Sequence, residues 1–218
     1  MTTVTGSIVG LDGPVDVSAS LSGLARWGDD LIDRWDGHRV LRTGRVEGRT
    51  IAFRATMMGT IEAPALALTA AAQESGQTAE ALARSMFVVA PPEFAELCAR
   101  DLVIGELDAH HPGVRPLLQP DPLTALVRSI SAQQVNLRWA ATVRRRIAER
   151  YGRRHELEGE PVYSLEASAL AQASFDDLRA LQLTGAKARA VIGCARAALD
   201  GRLDAAELRG LADDAVVE

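Results

Sequence analysis

Residues Asp121–Gly152 read DPLTALVRSISAQQVNLRWAATVRRRIAERYG. Asp121-Pro122 is a strong helix start, a capping acid followed by proline at the first helical position, where the missing N–H is no loss. Leu123, Val127 and Ile130 then recur at helical spacing. Ser131–Val135, SAQQV, interrupts that stripe with small and polar residues. Asn136 can cap a second helix running to Tyr151, with Leu137, Ala140, Ala141, Ile147 and Tyr151 on one face and Gly152 as its C′ residue. The stretch therefore predicts helix, tight polar turn, helix. Arg138, Arg146 and Arg150 project away from the core and Arg145 flanks it. Arg144 falls nearer the apolar stripe and must snorkel out or find a partner.

Between Arg128 and Arg154 the sequence holds eight arginines and one acid, Glu149, a local charge of +7 in a chain whose net charge is −5. Residues 1–116 hold 15 acids and 10 bases, and residues 117–218 hold 14 of each. Lys187 is the only lysine. A solvated helix face normally mixes signs, and this one does not. Gln133 and Gln134 can both donate and accept hydrogen bonds, and the helix start at Asn136 offers N–H groups to a phosphate. From the residues alone, the segment is either a hairpin of helices with a solvated basic face or a nucleic-acid-binding surface.

Upstream, the first hundred residues predict an α+β domain. Val15–Leu21 alternates as a half-buried strand does, and a helix is expected over Gly23–Trp35. Strand-like runs follow at His38–Arg42, Thr50–Met57 and Ile61–Thr69, with turns at Gly44–Gly48 and Met58–Thr60, which suggests an antiparallel sheet. Helices are expected at Thr78–Met86, with Thr78 as N-cap, and at Glu93–Arg100. The sequence thus divides into residues 1–100, a small α+β domain with an antiparallel sheet and flanking helices, and residues 101–218, expected to be all helical. In the second part Asp101–His110 is helical, Arg153–Tyr163 is a polar loop, Ser164, Ser174 and Thr184 are N-caps, and Gly201 ends the helix begun at Gly185.

Composition excludes several classes. Hydrophobic residues make up 47 % of the chain and charged residues 24 %, enough apolar material for packed cores. The N-terminus lacks the basic and apolar regions of a signal peptide, and no apolar run approaches the ~20 residues of a membrane span. Two cysteines, Cys98 and Cys194, cannot build a disulfide framework or a four-thiolate metal site. His38, His110, His111 and His155 show no ligand spacing. No metal, cofactor or membrane partner is expected, and the chain reads as cytoplasmic.

The Asp121–Asn136 segment, DPLTALVRSISAQQVN, resembles the alkylpurine DNA glycosylases of the helix–hairpin–helix superfamily, the 3-methyladenine DNA glycosylase II type. There a segment like DPFEALVRAI(V/I)GQQ(V/I)S opens the helical glycosylase domain. Ala132 replaces the usual Gly, and Asn136 replaces Ser. The likeness extends upstream to His110–Pro116 and downstream to Ser164–Ala171 and Asp177–Gly201, where DLRALQLTGAKARAVIGCARAALDG is similar to the family's LRALGLSxxKAEAL…ALARAVADG helices. More loosely, the first hundred residues resemble the family's small sheet domain.

The resemblance implies base-excision DNA repair: flipping of an alkylated purine and hydrolysis of its N-glycosidic bond, by a monofunctional hydrolase acting on double-stranded DNA without cofactor or obligate protein partner. Carried over by position, Gln133, Gln134 and Val135 form the loop inserted into the minor groove, with Gln134 as the wedge that fills the gap left by the flipped nucleotide. Asn136, Arg138, Arg144, Arg145 and Lys187 join them as DNA-binding residues. No LPGIGPWTA-type hairpin motif occurs in the 218 residues, and the family's catalytic aspartate lies beyond that motif, so the resemblance assigns no catalytic residue here. Leu211–Glu218 reads as the first turn of the helix leading into it. Asp29-Asp30, Asp176-Asp177 and Asp213-Asp214 are poor substitutes. Two alternatives follow: a catalytically inactive DNA-binding fragment or remnant, its uncovered helix faces prone to self-association, and a helical module that binds protein or RNA.

Overall fold

The computed structural model describes residues 4–46, 49–71, 76–212 and 214–215. It divides into two compact units, one holding the chain up to Arg26, Asp33–Leu118 and Glu156–Glu160, the other Trp27–Ile32, Gln119–His155 and the chain from Pro161. The main break thus falls at residues 118/119 rather than 100/101. Among the described residues no helix is long and apolar enough to cross a membrane.

The first unit is built on a five-stranded antiparallel sheet, ordered β1-β5-β4-β3-β2. Its strands are β1 (Val4–Gly10), β2 (Asp33–Trp35), β3 (Arg39–Val46), β4 (Arg49–Gly59) and β5 (Pro64–Ala71), with helix α1 (Val17–Trp27) between β1 and β2. In β4 the alternate residues Ile51, Phe53 and Ala55 are buried, the period-2 signature of a covered sheet face. Helix α2 (Gly76–Arg84) packs on β1, β5 and β3. Its Leu82 lies where a Cβ on Gly44 would come within 2.6 Å, so a side chain there would have to displace the end of the Leu82 side chain. Helices α3 (Pro92–Arg100) and α4 (Leu102–His110) complete this unit, and Asp101 caps α4 through Val103 and Ile104.

Three expectations for this unit need correction. Val15–Leu21 is not a strand: Asp16 accepts a hydrogen bond from the Ala19 amide and opens α1, burying Val17, Leu21 and Leu24. VDVSASL fits period 2, but the i, i+4, i+7 spacing of its apolar residues continues past it and wins. Nor does a helix reach Trp35. Gly28 (φ +92°) and Leu31 (φ +64°) are left-handed, and Asp29 and Asp30 cap the amides of Leu31 and Ile32, turning the chain into β2. Thr78 lies inside α2, not at its start. Of the expected Gly44–Gly48 turn, Gly44 belongs to β3, and residues 47–48 lie outside the described residues.

The second unit is helical apart from the outer ends of one hairpin, whose tip, Glu156–Glu160, is counted with the first. Helices α5 (Pro122–Ala132) and α6 (Leu137–Tyr151) are followed by strands β6 (Gly152–Leu157) and β7 (Glu160–Leu165) and by α7 (Ala167–Gln172), α8 (Phe175–Ala180), α9 (Gly185–Leu199) and α10 (Ala205–Arg209). Leu123, Val127, Val143, Ile147, Leu170, Leu178, Leu183, Val191 and Ile192 form its core. The α+β class holds, but Arg153–Tyr163 is not a loop and the second half is not wholly helical: β6 and β7 pair as a two-stranded sheet. Glu158 and Gly159 take positive φ in the tight turn between them. Gly152 is extended (φ −92°) and starts β6 instead of ending α6 in left-handed form; a Cβ there would lie 2.5 Å from the Ala148 carbonyl oxygen. Ser164 lies in β7 rather than capping α7. Ser174 and Thr184 do cap α8 and α9, and Gly201 (φ +79°) follows α9. Of the Leu211–Glu218 turn, residues 213 and 216–218 lie outside the described residues.

Candidate nucleic-acid interface

Two capped helices define the turn between them. The Asp121 carboxylate accepts from the Thr124 amide and hydroxyl, both at 2.8 Å, and Pro122 occupies the first turn of α5. At the other end Asn136 Oδ1 accepts from the Trp139 amide at 2.8 Å and starts α6. Only Gln133, Gln134 and Val135 remain between Ala132 and that cap. Gln133 is extended (ψ 129°) and Gln134 is left-handed (φ +55°), a conformation that disfavours a side chain bearing Cβ. All three, with Asn136, are exposed. A non-glycine residue held at positive φ on an exposed turn is a local strain that the surrounding structure must enforce.

Enforcement comes from a buried ion cluster beneath the turn. Arg144 Nε donates to Asp30 Oδ2 at 2.7 Å, and Arg128 Nη2 lies 3.1 Å from the same oxygen. Arg144 Nη1 donates to Ser131 Oγ at 3.2 Å, and that hydroxyl donates to the Arg128 carbonyl at 2.9 Å. Asp30 is 1 % exposed and Arg144 3 %. The segment carrying Asp30 is fixed to the same unit by a 2.8 Å bond from the Tyr163 amide to the Leu31 carbonyl. Lys187 Nζ donates to the carbonyls of Ser131 (3.0 Å) and Gln133 (2.7 Å), and burial pushes its pKa down.

Outward-facing groups differ from those read in the sequence. Arg138, Arg145 and Arg150 are exposed, Arg145 being paired with Glu149 at 3.1 Å. Arg146 is half-buried and lies over the Trp139 ring, 5.4 Å from its centre. Arg144, expected on DNA, is instead sealed inside, because a guanidinium on the apolar face of α6 is tolerable only when paired. Lys187 is likewise engaged by carbonyls of the turn. Asp30, set aside in the sequence as a poor substitute for the catalytic acid, is the central anion of this cluster. Its signal was indirect: arginines at two inward positions, 128 and 144, demand a buried carboxylate somewhere. Trp139 is 37 % exposed, and Val135 and Leu137, close to it in sequence, are exposed as well.

No protein-family model matches the sequence, and no curated protein matches it. Among solved structures it is similar to a 3-methyladenine DNA glycosylase from Archaeoglobus fulgidus, with a TM-score of 0.73, 18 % identity, and coverage of 87 % of this chain and 66 % of that one. MBOgg1 in complex with a low-affinity DNA ligand gives 0.71 at 14 % identity over 97 % of this chain and 70 % of that one. An 8-oxoguanine glycosylase/lyase from Clostridium acetobutylicum, in its apo form, gives 0.69 at 14 % identity over 98 % and 71 %. The fold is glycosylase-like. The chain covers 66 % of the length of the archaeal structure.

On this glycosylase-like fold, several of the described acids of the second unit have local structural partners. Asp121 and Asp204 cap helices, Asp177 accepts from Ser174 at 2.7 Å, Glu149 pairs with Arg145, and Glu166 accepts from Ser164 at 3.0 Å. His155 Nε2 lies 3.0 Å from Ser164 Oγ. That hydroxyl is buried and its proton is directed to Glu166, so the trio is a structural tie rather than an activated nucleophile. Among the described residues no group of three or more His, Cys, Asp or Glu is placed to hold a metal ion.

Proposed function

We propose that this protein binds double-stranded DNA through the Gln133–Asn136 turn and the open face of α6, and that it acts in base-excision repair of alkylated purines. The observation that carries the reading is the exposed left-handed Gln134, braced from below by buried charge and flanked by exposed arginines. Arg138, Arg145 and Arg150 supply phosphate contacts, and the N-terminus of the 15-residue α6 adds its dipole and first-turn N–H groups. Gln134 then enters the stack. Its amide can hydrogen-bond an orphaned base while its stem fills the space, offsetting part of the few kcal/mol that unstacking costs.

The reaction implied by the resemblance is hydrolysis of the N-glycosidic bond, whose oxocarbenium-like transition state needs a nearby carboxylate. Because the described acids named above are occupied by caps and pairs, a second reading is a chain that binds and distorts DNA without cleaving it. One experiment separates them: incubation of the 218-residue chain with a methylated duplex and chromatography of released bases. Release of 3-methyladenine or 7-methylguanine supports the enzyme. Binding without release supports the second reading. No binding to any duplex defeats both.

A further inference from the structure

Lys187 is the single lysine among 24 basic residues. It is the third residue of α9, at the positive end of the helix dipole, where a cation is electrostatically misplaced. Its ammonium instead reaches the opposite kind of terminus, the carbonyl end of α5. There it donates to Ser131 O and Gln133 O at 3.0 and 2.7 Å. These carbonyls lack the usual closure, because Gln133 ends α5 in extended rather than left-handed form. They also bracket the chain immediately before Gln134, whose φ is +55°. A compact ammonium with three tetrahedral donors can satisfy two converging carbonyls, whereas the planar guanidinium fork suits a carboxylate or phosphate. A lysine among arginines has a geometric reason here.

We propose that Lys187 is a positioning residue: by bridging the carbonyls of Ser131 and Gln133 it holds the turn so that Gln134 stays presented for insertion, and it makes no phosphate contact itself. The part about insertion rests on the DNA reading above; the part about the turn does not.

The test uses the full chain with K187M, which keeps the stem and removes the donors, and K187R, which keeps a charged donor. Hydrogen exchange of the last turn of α5 (residues 130–132) is measured without DNA. Then a duplex with 2-aminopurine beside an abasic-site analogue is titrated over a range of salt. In K187M, exchange of that turn should rise by roughly tenfold or more, as expected for loss of charge-assisted bonds, while exchange in the middle of α6 stays unchanged. Its duplex affinity should keep the wild-type salt slope and lose the 2-aminopurine signal. K187R, whose planar fork fits two converging carbonyls poorly, should restore only part of the protection.

Unchanged exchange in K187M overturns the proposal whatever the DNA result. So does a salt slope that flattens by about 1 in K187M, the mark of a lost phosphate contact. If wild type binds no duplex while K187M still loosens the turn, the DNA reading fails and takes the insertion role with it.

Discussion

Arg144 and Asp30 lie 114 positions apart in sequence and 2.7 Å apart in space. Both are almost wholly buried, and Arg128 shares the carboxylate. The pairing removes two of the eight arginines of Arg128–Arg154 from the outer surface and turns them into the support of the Gln133–Val135 turn.

Breaking this cluster from its anionic side should be severe. D30A leaves two buried guanidinium groups without their shared counter-charge, and loss of one partner from a buried ion pair typically destabilises by about 3–5 kcal/mol. Urea denaturation should show that loss in the midpoint. Simultaneous replacement by apolar residues, D30L with R128M and R144M, should recover part of it. A D30A chain within about 1 kcal/mol of wild type would mean the cluster is solvated and weak.

The outward arginines should govern salt dependence. R138A, R145A and R150A are each expected to weaken binding to any duplex and to reduce the slope of log K against log salt by up to about 1. Duplex titrations at several salt concentrations measure this. R144M should instead reduce stability. An R144M chain with normal stability and a flattened slope would put that side chain on DNA after all.

Gln134 should separate stability from function. Glycine accepts φ +55° without the penalty of a Cβ, so Q134G should be no less stable than wild type and could gain up to about 1 kcal/mol. It should nevertheless lose the 2-aminopurine response, because the side chain that enters the stack is gone. A Q134G chain that retains the response would move the wedge to a neighbour, Gln133 first.

His155 should make stability fall in mild acid. Burial lowers its pKa below 6.5, the Arg153 charge adds to that shift, and Glu166 opposes it. The unfolded chain therefore binds the proton more readily. The contribution is fully present above about pH 6.5 and is lost as pH falls through the folded-state value. Wild type should lose more stability than H155Q between pH 8 and pH 5 in denaturant titrations. Parallel curves would show that the imidazole is not desolvated.

Much of the site was legible before any coordinates because its signals close over a few residues. The caps at Asp121, Asn136, Ser174 and Thr184 each bond an amide three positions on, and such bonds depend on local backbone geometry alone. The helix–turn–helix order and the boundaries of α6 follow from them and from the spacing of apolar residues. What the sequence left undetermined depends on partners far along the chain. VDVSASL satisfies two periodicities at once, and the surface it meets selects helix. The β6–β7 hairpin has polar alternation that resembles a loop until its strands pair. Whether an arginine faces water or a carboxylate cannot be told from α6 by itself, because Asp30 arrives from residues 27–32. The sequence by itself determined where the turn lies and which side chains form it. Only the tertiary structure decided which charges remain outside, because burying a guanidinium is tolerable only where the fold delivers its counter-charge.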